Sequence, residues 1–301
     1  MPDFLILGCG FTGRRVARRL LASGGTLLCT TRASLNLEHP GALSTLRAMV
    51  TPGVRVLHSV PTLVGELDRV AVEALGGAAR VVYLSTTGVY GSAECVDETT
   101  PVAPQSDRAR ARVRTERAVL DGPWSPLVLR PAAIYGPGRV RRSGGGSGYV
   151  SRIHVDDLAA HVEAALFSEV TGAWPVADDH PCPSGEIAEF VLLHPEWGRP
   201  VGCGGLGQGR SRAGLLIRWP GAKIRAHLIE RQGRPAGTTG VEGRHLSFAR
   251  GQGRLSHTNR RVDGSAIRDI LGITLSYPSY RSGIPAALAE QRRACHDRDF
   301  Q

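Results

Sequence analysis

The stretch Asp3-Phe4-Leu5-Ile6-Leu7-Gly8-Cys9-Gly10-Phe11-Thr12-Gly13-Arg14 decides the fold of this 301-residue chain. A short apolar run precedes a G-x-G-x-x-G pattern, and a helix-like stretch follows from Thr12 to Ser23. In such a loop the first glycine permits a tight turn, the second lets the backbone approach a pyrophosphate, and the third lets helix and strand pack closely. The amino end of the helix adds N–H donors and positive potential. The stretch therefore predicts a strand–loop–helix unit that binds a dinucleotide; the alternative is a tight turn without a ligand.

Strand and helix patterns alternate along the chain beyond this loop. Strands are predicted at 26–31, 54–59, 80–85 and 127–130, and helices at 64–75, 107–120 and up to Phe167, whereas 33–52 has no clear strand. The alternation predicts an α/β fold, a Rossmann-type doubly wound parallel sheet with a small C-terminal substrate lobe. We assign residues 1–150 to the dinucleotide-binding core. Residues 151–301 would form the lobe and complete the sheet, with a basic Gly/Arg-rich insertion at about 202–254.

The end of the second strand indicates which dinucleotide is bound. An NAD site usually carries an acidic residue there, which binds the ribose 2′-hydroxyl. This strand ends Thr30-Thr31-Arg32, and the first acidic residue after it is Glu38. The guanidinium of Arg32, with that of Arg14 behind the third glycine, is suited to a 2′-phosphate. We therefore predict NADP as the cofactor, with NAD as the alternative if these two arginines are merely solvated.

Composition limits the compartment and the partners. Apolar residues make up 42% and charged residues 21% of the chain, close to the globular average. No run approaches about 18 apolar residues, which predicts that no segment spans a membrane. The chain opens directly into its first strand without a signal-like segment, which predicts a cytoplasmic protein. The six widely spaced cysteines contain no C-x-x-C pair, so we expect reduced thiols and no metal site.

The positive charge is concentrated in one segment. The chain carries a net charge of +10, and its basic residues are all arginine except Lys223. Residues 199–261 alone hold 13 basic and two acidic side chains. Binding of a polyanion or a membrane surface by this segment is one hypothesis, but stacking aromatics are scarce, so we do not expect nucleic acid as a partner. Out-of-frame translation of a GC-rich coding sequence would also produce such a composition.

Several motifs follow the glycine loop in order, and together they resemble one protein family. They are Gly8–Arg14, Leu84–Gly91 (LSTTGVYG), Asp97-Glu98 with Pro101 and Pro104, Leu129–Gly138 (LRPAAIYGPG), Arg152–Leu158 (RIHVDDL) and Leu271–Gly283. The chain is similar over roughly 1–200 and 255–290 to the short-chain dehydrogenase/reductase superfamily, in particular its NAD-dependent epimerase/dehydratase branch with extended and atypical members. The resemblance implies a Rossmann fold, a nicotinamide cofactor and a small-molecule substrate, with a homodimer as a family expectation.

The resemblance also assigns roles to individual residues. Thr86 matches the family's hydroxyl that binds a substrate oxygen, with an ordinary strand-end role as the alternative. Thr87, Tyr135 and His154 would bind substrate, and Asp157 would open the substrate lobe or simply cap the following helix. Together with the loop, the resemblance predicts these cofactor-binding residues: Gly8, Gly10, Phe11, Thr12, Gly13, Arg14, Arg32, Ser59, Val60, Pro61, Ser85, Pro131 and Ile134.

The chain departs from the family at the family's pair of catalytic residues. The family's proton donor is the tyrosine of Tyr-x-x-x-Lys, whose lysine lowers the tyrosine pKa and binds the ribose. Here Arg108 stands at the tyrosine position and Arg112 at the lysine position. A guanidinium does not release a proton at neutral pH, although Arg112 is able to hold ribose hydroxyls. The substitute proton donors, each with a structural role as the alternative, are Tyr90, Tyr135, Tyr149 and His154.

The sequence is therefore compatible with two functions. The first is an NADP-dependent oxidoreductase or epimerase that acts on a polar small molecule such as a sugar nucleotide, with Thr86, Arg108 and Arg112 as its catalytic residues. The second is a catalytically silent NADP(H)-binding sensor or regulatory protein. The missing tyrosine motivates the second function, and the intact cofactor motifs motivate both.

Overall fold

The computed structural model describes residues 2–61, 67–140, 146–195 and 259–299. Part of the predicted helix at 64–75, the insertion at 202–254 and Lys223 lie outside the described residues. The hypotheses on the basic segment 199–261 thus stay predictions. Within the described ranges, every helix is too short or too polar to cross a membrane.

The described residues alternate between strands and helices as the sequence predicts. The strands are β1 (Phe4–Leu7), β2 (Leu27–Thr30), β3 (Arg55–His58), β4 (Arg80–Leu84), β5 (Cys95–Val96), β6 (Ser125–Pro131), β7 (Ala133–Tyr135), β8 (Tyr149–Val150), β9 (Arg152–His154), β10 (Gly172–Val176), β11 (Cys182–Pro183) and β12 (Arg261–Val262). The helices are α1 (Phe11–Ala22), α2 (Ala42–Met49), α3 (Leu67–Glu73), α4 (Asp107–Leu120), α5 (Val155–Phe167), α6 (Ser184–Leu193), α7 (Ser265–Ile270) and α8 (Tyr280–Asp299), and Thr87–Tyr90 form a 3₁₀ turn.

Six parallel strands form the central sheet in the order β10-β6-β4-β3-β1-β2. From β1 the chain first adds β2 on one side and then crosses to β3 on the other, so the strand order reverses between β1 and β3. In open parallel sheets, ligands bind at the carboxyl ends of the strands beside such a reversal. The predicted doubly wound α/β fold is confirmed, and the reversal lies where the glycine loop follows β1.

Both faces of the sheet are covered because the strand side chains alternate in direction. Phe4 and Ile6 pack with α1 and α5, whereas Leu5 and Leu7 pack on the opposite face with α2, α3 and α4. All four side chains are buried. This double burial explains why β1 reads as a continuous apolar run in the sequence.

Two further features set the limits of the sheet. Residues 33–52, for which no clear strand is predicted, contain α2 and no strand, so β2 is an edge strand. At the other edge β10 pairs with β6, so a strand from the second half of the chain completes the sheet. A smaller apolar cluster joins Tyr135 to Ile187 on α6 and to Ile284 on α8.

Candidate functional site

A cavity of about 780 Å³ lies across the carboxyl ends of the sheet strands. It extends from Arg32 after β2, past the glycine loop and Ser59, to Ser85 after β4 and Pro131 at the end of β6. Four strand spacings separate β2 from β6, which makes this row of strand ends about 19 Å long. The volume is that of a typical small-molecule or cofactor site.

The three glycines of the loop meet three different surroundings. Gly8 has φ of 89°, and a Cβ there would lie 3.0 Å from the backbone of Ser59 on the neighbouring strand end. A Cβ on Gly13 would lie 2.6 Å from the carbonyl oxygen of Gly8, so this glycine packs against the first. A Cβ on Gly10 would have no described atom closer than 3.9 Å. Gly10, which lines the cavity, thus leaves room there for a ligand.

The amino end of α1 faces the same loop with its first turn uncapped by any side chain. Gly10 is the N-cap residue, and no acidic residue occupies the first turn. The free N–H groups and the helix dipole favour a bound anion at this position. Ser59 closes the turn from the other side, since its hydroxyl donates to the Gly8 carbonyl at 2.7 Å.

Two arginines line the cavity at the β2 end. Arg32 is exposed and forms an ion pair with Glu38 at 2.6 Å, while Arg14 donates through Nε to the Cys9 carbonyl at 3.4 Å. A second cavity of about 230 Å³ adjoins this end and shares Arg32 with the first. Its walls are largely apolar and include Leu35, Leu37 and Val60.

The opposite end of the cavity presents two adjacent hydroxyl groups. Ser85 is 7% exposed, and its Oγ has no hydrogen-bond partner among the described residues. Thr86 Oγ1 accepts the N–H of Gly88 at 3.2 Å and caps the 3₁₀ turn, so the strand-end role is present. Its hydroxyl proton is still free for a ligand, because this bond uses only a lone pair of the oxygen.

Arg112 reaches the same end of the cavity from α4 and is largely engaged by the protein. It is 7% exposed, and its Nη1 donates to Tyr83 Oη at 2.5 Å, to the Leu84 carbonyl at 3.3 Å and to the Val60 carbonyl at 3.4 Å. Its Nε is buried without a partner in the described part of the chain. Arg112 thus ties the ends of β3 and β4 together, and its Nε is a buried donor without an acceptor among the described residues.

The substitute proton donors do not reach this cavity. Tyr90, Tyr135, Tyr149 and His154 are all absent from its described wall, which contains no tyrosine, lysine, histidine, aspartate or glutamate. Tyr90 accepts from Arg130 at 3.1 Å, and burial raises its pKa. Tyr149 stacks under the guanidinium of Arg261. The contacts described for Tyr90 and Tyr149 are structural, and the donor role given for these side chains stays a prediction.

Tyr135 and His154 are predicted both as substitute proton donors and as substrate-binding residues. They lie together behind the wall of the large cavity. Tyr135 and His154 are 1% exposed and pack edge to face, with ring centroids 5.2 Å apart. Tyr135 Oη donates to the Ser279 carbonyl, and burial raises the Tyr135 pKa. Burial also lowers the pKa of His154 to about 4, which keeps the ring neutral. Neither side chain lines the cavity, and the predicted role of both residues in substrate binding stays a prediction.

The helix cap expected from Asp157 is wrong in detail. His154 caps α5 instead, since its Nδ1 accepts the Asp156 N–H at 3.3 Å. The Asp157 carboxylate accepts the N–H groups of Ser276 and Tyr277 at 2.8 and 2.9 Å. It therefore ties α5 to a segment more than 100 residues later, a contact that no local pattern reveals.

Most of the predicted site residues share the large cavity. Its wall includes Gly8, Gly10, Phe11, Thr12, Arg14, Arg32, Ser59, Pro61, Ser85, Thr86, Arg108, Arg112, Pro131 and Ile134. Gly13 packs behind the loop, Val60 lines the adjoining cavity, and Thr87 points its carbonyl at Arg260. The structure thus gathers the predicted cofactor residues and separates Tyr135 and His154 from them.

Sequence reasoning missed two charged anchors beneath the site. Glu116 on α4 and Arg130 on β6 form a buried ion pair at 2.7 Å, directly before Pro131. Arg260 is 7% exposed and donates to the carbonyls of Thr87, Gly91 and Ala93, which follow the Thr86 hydroxyl. Arg130 directly precedes Pro131 of the family-like motif, and this position in the sequence was a signal that pointed to the first anchor. Arg260 had no signal, because it borders a segment without clear patterning.

A pair of thiols also escaped the sequence prediction. Cys9 in the glycine loop and Cys29 on β2 are hydrogen-bonded through their thiols, which lowers the pKa of Cys9 and raises that of Cys29. Both are free cysteines. The spacing of 20 residues conceals a contact that the parallel pairing of β1 with β2 creates.

Comparison with known proteins confirms the predicted resemblance. The NAD dependent epimerase/dehydratase family matches residues 42–163. A 3-diazoavenalumate denitrifying reductase from Streptomyces sp is 37% identical over 93 residues, which cover 26% of this chain and 31% of that protein. The match therefore spans less than a third of that relative's length.

Solved structures with the same fold cover nearly the whole chain. One is a Methylobacillus flagellatus protein whose name places it among the NAD-dependent epimerase/dehydratases; it is 22% identical, covers 97% of this chain and 99% of its own, and has a TM-score of 0.66. Another is a short-chain dehydrogenase/reductase superfamily protein from Agrobacterium tumefaciens with bound NAD, with 16% identity, coverage of 98% and 99%, and a TM-score of 0.64.

Proposed function

We propose that the large cavity of this chain, whose residues 42–163 match the NAD dependent epimerase/dehydratase family, binds NADP(H) for an oxidoreductase reaction on a polar small molecule such as a sugar nucleotide. The observation that carries the proposal is the cavity itself, which joins the uncapped amino end of α1 to the free donors of Ser85 and Arg112. The NAD bound to the Agrobacterium neighbour and the reductase name of the Streptomyces relative support a nicotinamide cofactor.

Each part of the cofactor would meet residues of matching chemistry. The α1 N–H groups beside Gly10 would hold the pyrophosphate, and the apolar walls of the adjoining cavity would hold the adenine. Arg112 Nε and Ser85 Oγ are the buried donors left for the ribose and nicotinamide end. A nicotinamide held there would supply hydride transfer to or from the substrate. Thr86 would then bind the oxygen on the substrate carbon that is oxidised or reduced.

The proposed preference for NADP rests on Arg32. To bind the 2′-phosphate, Arg32 must give up its ion pair with Glu38. Both side chains are exposed, at 78% and 40%, and exposed pairs contribute only about 0–1 kcal/mol. A phosphate carries about two charges and forms stronger, bidentate bonds with a guanidinium. The 2′-phosphate would therefore displace Glu38 from Arg32.

Replacing Arg32 by alanine tests this preference. Charge-assisted hydrogen bonds contribute about 1.5–3 kcal/mol, so NADPH affinity should fall about 10- to 100-fold while NADH affinity changes little. Isothermal titration of both cofactors measures the two affinities. Arg18→Ala is the matched control, since Arg18 is exposed on α1 and does not line the cavity. An equal loss for NADPH and NADH would contradict the assignment.

A specific observation also favours the second candidate, the silent NADP(H)-binding protein. The described cavity wall offers hydroxyl groups, guanidinium groups and the thiol of Cys9 in the glycine loop, but no tyrosine, lysine, histidine or carboxylate to transfer a proton. Hydroxyl protons of serine and threonine are not released near neutral pH unless a base assists. A protein that binds the cofactor without turnover is consistent with such a wall.

Turnover assays separate the two candidates. Protein with NADPH is incubated with carbonyl compounds and sugar nucleotides, and NADPH consumption and product are followed. An oxidoreductase should show turnover that Thr86→Ala lowers at least tenfold, while Ser44→Ala on the exposed side of α2 leaves it unchanged. Tight NADPH binding with no turnover of any substrate would instead favour the silent protein.

A further inference from the structure

Arg108 is placed to bind a ligand rather than the protein. It is exposed near the amino end of α4 and lines the large cavity, yet the described residues give its guanidinium no partner. The neighbouring Asp107 pairs with Arg110 at 2.5 Å, on the part of the helix outside the cavity wall. Asp107 therefore leaves the positive charge of Arg108 free.

Three further donors lie at this end of the cavity, and we name the group Ser85, Thr86, Arg108 and Arg112 the α4 corner. Arg108 and Arg112 are four residues apart on one helix, so their side chains leave the same face. Two members are more than nine-tenths buried and carry an unpartnered polar atom, namely Ser85 Oγ and Arg112 Nε. Buried polar atoms are costly to leave unpaired, which points to an acceptor that arrives with a ligand.

The charge at the corner selects an anion. The described cavity wall contains no aspartate or glutamate, so no protein carboxylate competes for these guanidinium groups. The dipole at the amino end of α4 adds positive potential, worth about 0.3–1 kcal/mol at an exposed site. A neutral carbonyl compound would leave the Arg108 charge uncompensated.

We propose that the α4 corner binds a carboxylate group of the substrate, with the Arg108 fork as its principal contact. The inference rests on the proposed function, because it assigns the substrate end of the same cavity. A carboxylate offers about four acceptor positions on two oxygens and accepts a guanidinium in bidentate fashion. The two N–H groups of the Arg108 fork would meet the two carboxylate oxygens, while Arg112 Nε and Ser85 Oγ stay with the ribose and nicotinamide end of the cofactor. A phosphate monoester is the other source of such an anion, and the experiment separates the two.

Titration of the full chain with benzoate, benzamide and phenyl phosphate tests the carboxylate site. The three probes share one ring and differ in the group that the corner would contact. Calorimetry and thermal denaturation are recorded with and without saturating NADPH, so binding is measured without turnover. Benzoate should bind at least tenfold more tightly than benzamide, and its affinity should fall with added salt. Arg108→Gln should lose at least tenfold in benzoate affinity, and Arg108→Lys should recover only part of it. Arg114→Gln, at an exposed position of the same helix outside the cavity wall, should behave as wild type.

Several results would overturn the inference. These are equal affinity for benzoate and benzamide, unchanged benzoate affinity in Arg108→Gln, no benzoate binding by protein that binds NADPH, and tighter binding of phenyl phosphate than of benzoate. The last result would assign the corner to a phosphate. Failure of the proposed function is distinguishable, because it appears as absent NADPH binding whereas the benzoate titration of the unliganded protein still decides the role of Arg108.

Discussion

At the residue scale, the G-x-G-x-x-G loop contains glycines that are required for different reasons. Gly8 and Gly13 are packing positions, since a Cβ on either would meet backbone atoms at 3.0 or 2.6 Å. Gly10 has open space around its Cα, and its φ of −91° is accessible to other residues. The first and third glycines therefore serve the fold, while the second would serve the proposed cofactor.

Alanine substitutions separate these two requirements. Gly13→Ala should lower the free energy of unfolding by about 1–3 kcal/mol, because its Cβ would overpack against the Gly8 carbonyl. Gly10→Ala should change stability by less than about 1 kcal/mol and weaken NADPH binding about tenfold or more, because its Cβ would occupy cavity space. Urea denaturation and NADPH titration measure both variants. Unchanged NADPH affinity of the Gly10→Ala variant would show that the pyrophosphate does not bind at this loop.

At the element scale, α4 shows how a charged helix is fixed against the sheet. Its buried positions are Ala109, Arg112, Thr115, Glu116 and Val119, so two of these five inward residues are charged. Periodicity of apolar residues alone does not identify such a face. The ion pair of Glu116 with Arg130 and the bonds of Arg112 to the ends of β3 and β4 fix the helix beside the cavity.

Breaking the buried pair should cost far more than breaking a surface pair. Arg130→Met leaves the Glu116 carboxylate buried without its partner, so the free energy of unfolding should fall by about 3–5 kcal/mol. Arg69→Met, which breaks the exposed pair with Glu73, should cost less than about 1 kcal/mol. Urea denaturation compares the two variants. Equal losses would show that Glu116 is not held by Arg130.

At the scale of the whole molecule, buried ionisable groups make stability depend on pH. Burial lowers the pKa of His58 to about 3 and those of His154 and His161 to about 4. The unfolded chain, with histidine pKa values near 6.5, therefore binds more protons between pH 6.5 and 4. Asp178 acts in the opposite direction, because burial raises its pKa to about 8.

These shifts predict a stability maximum near pH 6.5. As pH falls from 6.5 towards 4, the three histidines destabilise the fold and Asp178 offsets one of them, a net slope of at most about 2.7 kcal/mol per pH unit. As pH rises from 6.5 to 8, Asp178 alone lowers stability by up to about 1.4 kcal/mol per unit. Urea denaturation at pH 5, 6.5 and 8 measures the curve, and His39→Gln at an exposed position is the control. Greater stability at pH 5 than at pH 6.5 would contradict the prediction.

Local sequence patterns predicted most of the fold and most of the residues that line the large cavity. The glycine loop, the apolar strands and the motifs around Thr86 and Pro131 depend on near neighbours in the chain, so their spacing predicts the structure. That Arg108 and Arg112 stand in place of the family's Tyr-x-x-x-Lys pair stays a prediction from the sequence. By itself the sequence determined the doubly wound sheet and the glycine loop after β1, which lines the cavity.

Only the tertiary structure decided which distant side chains meet. It paired Glu116 with Arg130, joined Arg260 to the carbonyls beyond Thr86, and brought the thiols of Cys9 and Cys29 together. It also turned Tyr135 and His154 away from the cavity, although their motifs lie beside it in the sequence. The physical reason is that such contacts depend on strand order and helix packing across the sheet, which no short sequence window contains.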